Sequence, residues 1–127
     1  MAVTYTKGPP PKKRNYPRAP ISIRIQYRES QQGAKEGFTA IMGGGGLFID
    51  TVSPLPVGTD VGLEFGLPGQ PGSVKVDGQV VWVRPEFDPK GFSPGMGIQF
   101  KKINEADREK IMQFVMRVLM GQSESNP

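Results

Sequence analysis

The sequence predicts an all-β protein, a small six-stranded antiparallel barrel followed by one C-terminal α-helix. Three observations predict it. Ile21, Ile23, Ile25 and Tyr27 alternate strictly with Ser22, Arg24, Gln26 and Arg28, the period of a strand with one buried face. Glycine (17) and proline (13) together supply nearly a quarter of the 127 residues, enough turn formers to separate many short strands. Beyond Asn104 the period changes, and Ile111, Phe114, Val115, Val118 and Leu119 recur at the spacing of one helix face.

Taken in order, residues 1–13 have no hydrophobic period and contain three consecutive prolines. They read as a flexible, basic, proline-rich arm ahead of a single domain spanning 14–121. The strand around Ile21–Tyr27 comes first, and Phe38–Met42 reads as the second, broken by Gly43–Gly46. Leu47–Ile49 is a short third strand. Val61, Leu63 and Phe65 alternate in a fourth, and Gly66–Gly72 carries too much glycine and proline for a helix or a central strand. Val74–Val83 reads as one long strand kinked or bulged at Gly78, and Met96–Phe100 as the last. A helix over about 104–120 follows, with Asn104 as N-cap, Glu105 and Asp107 in the first turn and Gly121 as C-cap. Residues 122–127 are expected to be a disordered tail. Met112, Met116 and Met120 form a stripe beside the apolar face, read as a widened core face in preference to an adaptable partner surface. Trp82, on a valine-rich strand, reads as core rather than as a base-stacking platform.

Composition narrows the function. Residues 1–28 hold seven basic and no acidic side chains, whereas the remainder holds nine basic and twelve acidic. Positive charge is therefore a local device, better suited to one small anion than to the basic stripe of a DNA or RNA binder. No apolar run is long enough to span a membrane, and no signal peptide opens the chain. With no cysteine and no histidine, Ser-His-Asp and Cys-His catalysis and the usual zinc sites have no residues to build on. The scattered carboxylates single out no acid–base pair. The expectation is a cytoplasmic protein that is not an enzyme, with no catalytic residues, no metal and no cofactor.

The candidate binding residues are Arg14 and Arg18, four apart on the basic arm just before the first strand. A guanidinium makes paired hydrogen bonds to phosphate or to a guanine edge and keeps its charge near neutral pH. Pro17 biases Tyr16 toward extended backbone. The glycine run Gly43–Gly46 lacks the GK[ST] ending of a phosphate loop and reads either as a flexible hairpin or as a ligand-adjacent loop.

Arg14-Asn15-Tyr16-Pro17-Arg18 before an alternating strand, Gly45-Gly46-Leu47-Phe48-Ile49, Val80-Val81-Trp82, and Gly95-Met96-Gly97-Ile98-Gln99-Phe100 ahead of the helix occur in an order that resembles the PilZ domain, the bacterial receptor module for cyclic di-GMP. The resemblance covers about residues 12–120 and implies a six-stranded barrel with a C-terminal helix. It also implies that Arg14 and Arg18 grip the nucleotide's phosphates and guanine edges as the arm folds over it. The family's second motif, [D/N]-x-S-x-x-G, is matched only at Gly46; Ile41 stands where the acid or amide belongs and Gly43 where the serine belongs. Each missing hydrogen bond costs about 0.5–1.5 kcal/mol net, so two weaken binding by tens- to hundreds-fold. The resemblance implies an adaptor that binds cyclic di-GMP, through Arg14, Arg18 and Gly46, and regulates motility or surface behaviour through a protein partner. The alternatives are a PilZ-like interaction module without the nucleotide and, more remotely, a nucleic-acid-binding barrel.

Overall fold

The computed structural model describes residues 16–30 and 32–124, with side chains up to Gly121. The arm 1–13, Arg14 and residues 125–127 lie outside the described residues. The elements are β1 (Arg18–Pro20), β2 (Arg24–Glu29), β3 (Lys35–Gly43), β4 (Gly46–Asp50), β5 (Asp60–Phe65), β6 (Val74–Arg84), β7 (Gly95–Lys102) and α1 (Glu105–Glu124). Each strand pairs antiparallel with its neighbours, and β2, β3, β4, β7, β6 and β5 close into a ring of six, β5 returning to β2. The additional strand, β1, pairs with the second half of β3 on the edge whose first half pairs with β2.

The predicted first strand, around Ile21–Tyr27, begins only at Arg24 as β2, and β1 precedes it with 21–23 between them. Pro20 has no N–H to give the ladder, and the backbone gap is bridged by Thr39. Its hydroxyl donates to the Ile21 carbonyl at 2.6 Å and accepts from the Ile23 N–H at 3.1 Å. Thr39 is a buried polar side chain, 1% exposed, and both of its hydrogen-bonding capacities are used, as burial requires.

The alternation behaves as the sequence implies where the ladder is regular: Ile25, Tyr27, Val61, Leu63 and Phe65 point inward, while Arg24, Gln26, Arg28 and Glu64 face solvent. The core also takes in Met42, Ile49, Val80 and Met96. Irregular registers change the pattern at three places. Ala40 is extra between Thr39 and Ile41, Lys101 is extra opposite Gly78, and Val81 is extra between Val80 and Trp82. A bulge puts two residues opposite one and turns the following side chain to the other face. Trp82 is accordingly not a core residue: it is half-buried on the outside of the barrel, while Val80 fills the interior.

Helix α1 closes one end of the barrel against β1 and β3. Its Ile111, Phe114 and Val115 join the barrel core, with Ile111 and Val115 almost wholly buried. Asn104 caps it as predicted, its side-chain oxygen accepting the Asp107 N–H at 3.1 Å. Gly121 does not end it, because the helix continues to Glu124. A glycine inside a helix costs about 1 kcal/mol relative to alanine, which slows but does not stop a helix whose earlier turns are anchored in a core. The methionine stripe also differs from the widened core face read from the sequence. Met112 is half-buried, but Met116, Leu119 and Met120 are 41%, 43% and 61% exposed.

Candidate functional site

The barrel registers bring the sequence-predicted residues onto one outer wall. Arg18 lies opposite Gly43, Gly43 opposite Gly46, Gly46 opposite Gln99, and Gln99 opposite Gln79. Two residues along each strand, or three on β6 where Val81 is extra, the next row runs Pro20, Ile41, Phe48, Gly97 and Trp82. The third runs Arg24, Phe38, Asp50, Gly95 and Arg84. Of the three predicted binding residues, Arg18 and Gly46 therefore share a row, on either side of Gly43, and Arg14 lies outside the described residues.

The glycines of this wall are explained by what lies on them. Gly43–Gly46 is a hairpin in which Gly43 and Gly46 pair and Gly44–Gly45 form the turn. Neither turn glycine takes a left-handed φ, so conformational freedom is not the reason for them; close approach is. A Cβ on Gly43 would sit 2.7 Å from the Pro17 carbonyl oxygen and 3.0 Å from Arg18 Cγ. A Cβ on Gly44 would sit 3.0 Å from both Tyr16 Cγ and Met112 Cγ, and one on Gly45 would be 3.3 Å from Tyr16 Cδ2. Gly46 has no room for a side chain because the Ile98 carbonyl of β7 occupies it. The two readings of the glycine run thus merge. It is a hairpin turn, and the chain between Tyr16 and Arg18 lies across it.

Two carbonyls of the turn have distant donors: Phe100 N–H reaches Gly45 at 2.9 Å, and Arg108 Nη1 reaches Gly44 at 2.9 Å. The Arg108 guanidinium also stands 5.0 Å over the Tyr16 ring, a cation–π distance, and its Nε is held by the Glu105 carboxylate at 3.2 and 3.3 Å. Nothing in the sequence marked Arg108, which lies 64 residues from Gly44. For Tyr16 the signal was present in its place midway between the two arginines.

The rest of the wall is apolar and aromatic. Phe48 is 5% exposed although it points outward, because Trp82 packs on it at 5.2 Å between centroids and the Arg84 guanidinium covers it at 4.8 Å. Arg84 also faces Trp82 and Phe92 at 5.3 and 5.2 Å and donates to the Ser93 carbonyl at 2.7 Å. Gly97 is glycine because the Trp82 indole lies directly on it. Burial pushes the Asp50 carboxyl above its ordinary range, with Arg84 pulling the other way more weakly. Ile41, at the place of the family's acid or amide, is 38% exposed opposite Phe48. It extends the apolar surface and offers no hydrogen bond.

A separate groove of about 420 Å³ lies over β2, β5 and β6. Its row Arg28, Gly62, Asp77 and Lys102 alternates in sign and lacks the concentrated positive charge of an anion site. Among the described residues, no group of three or more His, Cys, Asp or Glu side chains could hold a metal, and no helix is long and apolar enough to cross a membrane.

Comparison with known proteins bears on this geometry. No curated protein is similar enough in sequence to match. Among solved structures, the chain is similar to the Bacillus subtilis inhibitor of motility (MotI/DgrA), with a TM-score of 0.75 at 16% identity over 87% of this chain. The chain spans about half (53%) of that protein's length. It is also similar to the PilZ domain of Escherichia coli YcgR with c-di-GMP, with a TM-score of 0.65 at 17% identity, covering 91% of this chain and all of that one. A third similarity is to the K. pneumonia MrkH–c-di-GMP complex, with a TM-score of 0.68 at 16% identity over 91% of this chain and 55% of that chain. At such identities the likeness concerns the fold. The PilZ domain model matches residues 12–117, leaving only the two ends of the sequence outside it, and the chain therefore belongs to the PilZ domain family.

Proposed function

We propose that the chain is a non-enzymatic PilZ adaptor that binds cyclic di-GMP, with reduced affinity, on the wall formed by Arg18, Gly43 and Gly46. Arg14 supplies the second guanidinium, and the output is control of motility through a protein partner in the cytoplasm. The observation that carries the reading is the register of Arg18 on Gly43. It sets Arg18 opposite the hairpin whose position corresponds to the family's second motif. A dianionic dinucleotide needs such a cation, and arginine can also pair with a guanine edge. The YcgR and MrkH structures contain c-di-GMP, and the Bacillus protein is an inhibitor of motility; these support the ligand and the output by family likeness. Calorimetric titration with cyclic di-GMP, with GTP as control, tests the reading. Saturable binding to the wild type that the Arg14→Ala/Arg18→Ala double variant loses is the expected result. Equal affinity of the two proteins contradicts it.

A second reading is favoured by Ile41. With Ile41 and Phe38 exposed at 38% and 50% on the same wall, the chain acts as an interaction module that no longer takes the nucleotide. Capture of one protein partner with an affinity indifferent to added cyclic di-GMP would favour it over the first.

A further inference from the structure

Tyr16 lies between the two arginines of the arm, and its ring has a seat built from two distant parts of the chain, the glycine turn and helix α1. The floor is Gly44–Gly45, where an added Cβ would stand only 3.0 and 3.3 Å from the ring. One side is Met112 of α1, whose Cγ converges with Tyr16 Cγ on the same point above Gly44. The cover is the Arg108 guanidinium, 5.0 Å over the ring. Arg108 is itself fixed in three directions: by the ring, by the Gly44 carbonyl at 2.9 Å and by the Glu105 carboxylate. Its side chain is 20% exposed, so its contacts with the ring and the Gly44 carbonyl are partly withdrawn from water, where cation–π and charge-assisted hydrogen bonds are stronger; the Glu105 carboxylate, 79% exposed, adds little. Two residues further on, the arm pairs with β3 and Arg18 meets Gly43.

From this arrangement we infer that Tyr16 and Arg108 are positioning residues for the ligand arm. They clasp the arm to the glycine turn so that Arg18 faces the binding wall, and they join the arm to helix α1. The inference rests on the reading that the arm engages cyclic di-GMP, and adds to it the element that responds. Coupling between two sites is reciprocal. If the clasp favours the arm pose that binds nucleotide, then bound nucleotide must tighten the clasp and quieten the first turns of α1. The helix carrying exposed Met116, Leu119 and Met120 thereby becomes the part of the barrel that registers occupancy.

The test combines affinity with amide hydrogen exchange on the full chain. Arg108→Ala and Tyr16→Ala are each expected to weaken cyclic di-GMP binding roughly 3- to 30-fold, the range for losing one partly buried cation–π contact with its hydrogen bond. Tyr16→Phe, which keeps the ring, is expected to stay near wild type, and Arg108→Lys, which loses the planar fork, is not expected to rescue. In the nucleotide-free protein, Arg108→Ala should speed exchange at Arg18, Ala19 and Ile21 at least tenfold while β5 is unchanged. General destabilisation, the alternative to action through the arm, would instead speed exchange in β5 as well as in the arm. Nucleotide should slow exchange over 105–112 in the wild type and not in Arg108→Ala. Wild-type binding with unchanged affinity in Arg108→Ala overturns the clasp and spares the proposed function. No binding by the wild type overturns the proposed function and the coupling to α1. In that case unchanged arm exchange in Arg108→Ala overturns the seat as well, and faster exchange supports it.

Discussion

Replacing Ile41 and Gly43 separately gives opposite predictions, although both changes move the sequence toward the family's second motif. Ile41 is 38% exposed and points off the wall opposite Phe48, so Ile41→Asn needs no repacking and forfeits only part of one apolar side chain's burial. It restores an amide where a guanine can be hydrogen-bonded. One net hydrogen bond is worth about 0.5–1.5 kcal/mol, or roughly a 2- to 13-fold gain in affinity. Gly43→Ser has no such room. Its Cβ would stand 2.7 Å from the Pro17 carbonyl oxygen and 3.0 Å from Arg18 Cγ, and a backbone carbonyl cannot swing aside like the end of a flexible side chain. The variant must push the arm off β3, so it is expected to weaken binding while regaining the hydroxyl. Calorimetry with cyclic di-GMP on both single variants measures this directly. Tighter binding by Gly43→Ser, or no gain from Ile41→Asn, would refute the placement of the nucleotide beside Arg18 and Gly43.

Three further outcomes follow from the packing. Thr39→Val keeps the shape but strands the Ile21 carbonyl and the Ile23 N–H; it should cost about 1–3 kcal/mol in urea unfolding. Gly97→Ala drives a methyl into the Trp82 indole and should cost about 1–3 kcal/mol as overpacking, with a shift in tryptophan emission as the ring is displaced. Asp50, whose carboxyl is raised by burial, favours the folded state below the unfolded-state value near 3.8 and loses that contribution as pH rises through the folded-state value. Asp50→Asn should therefore gain stability relative to wild type as pH rises above 3.8, and parallel pH–stability curves would contradict this.

The six barrel strands and the helix were legible because the alternation is strict and one helix face is continuous. What was not legible traces to bulges and to long-range contacts. The valine-rich strand pointed to Trp82 as core, and the extra residue Val81 turns it out. The extra residue Ala40 likewise sets Ile41 on the outer face. The glycine run was visible, but its reason is the Tyr16 ring and the Pro17–Arg18 backbone lying on it, neither of which spacing encodes. Arg108 had no local signature, because its partners are a turn 64 residues away and a ring at the start of the described chain. Gly121 misled for a related reason. Its residue type favours a helix end, yet anchoring at Ile111 and Val115 carries α1 past it.

The most direct measurement is a cyclic di-GMP titration followed by backbone amide chemical shifts on the wild-type protein. Binding on the proposed wall predicts saturable shifts at Arg18, Gly43, Gly46 and Gln99, spreading to Tyr16, Gly44 and the first turns of α1. Shifts centred instead on Gly62, Asp77 and Lys102, or none up to millimolar nucleotide, would contradict it.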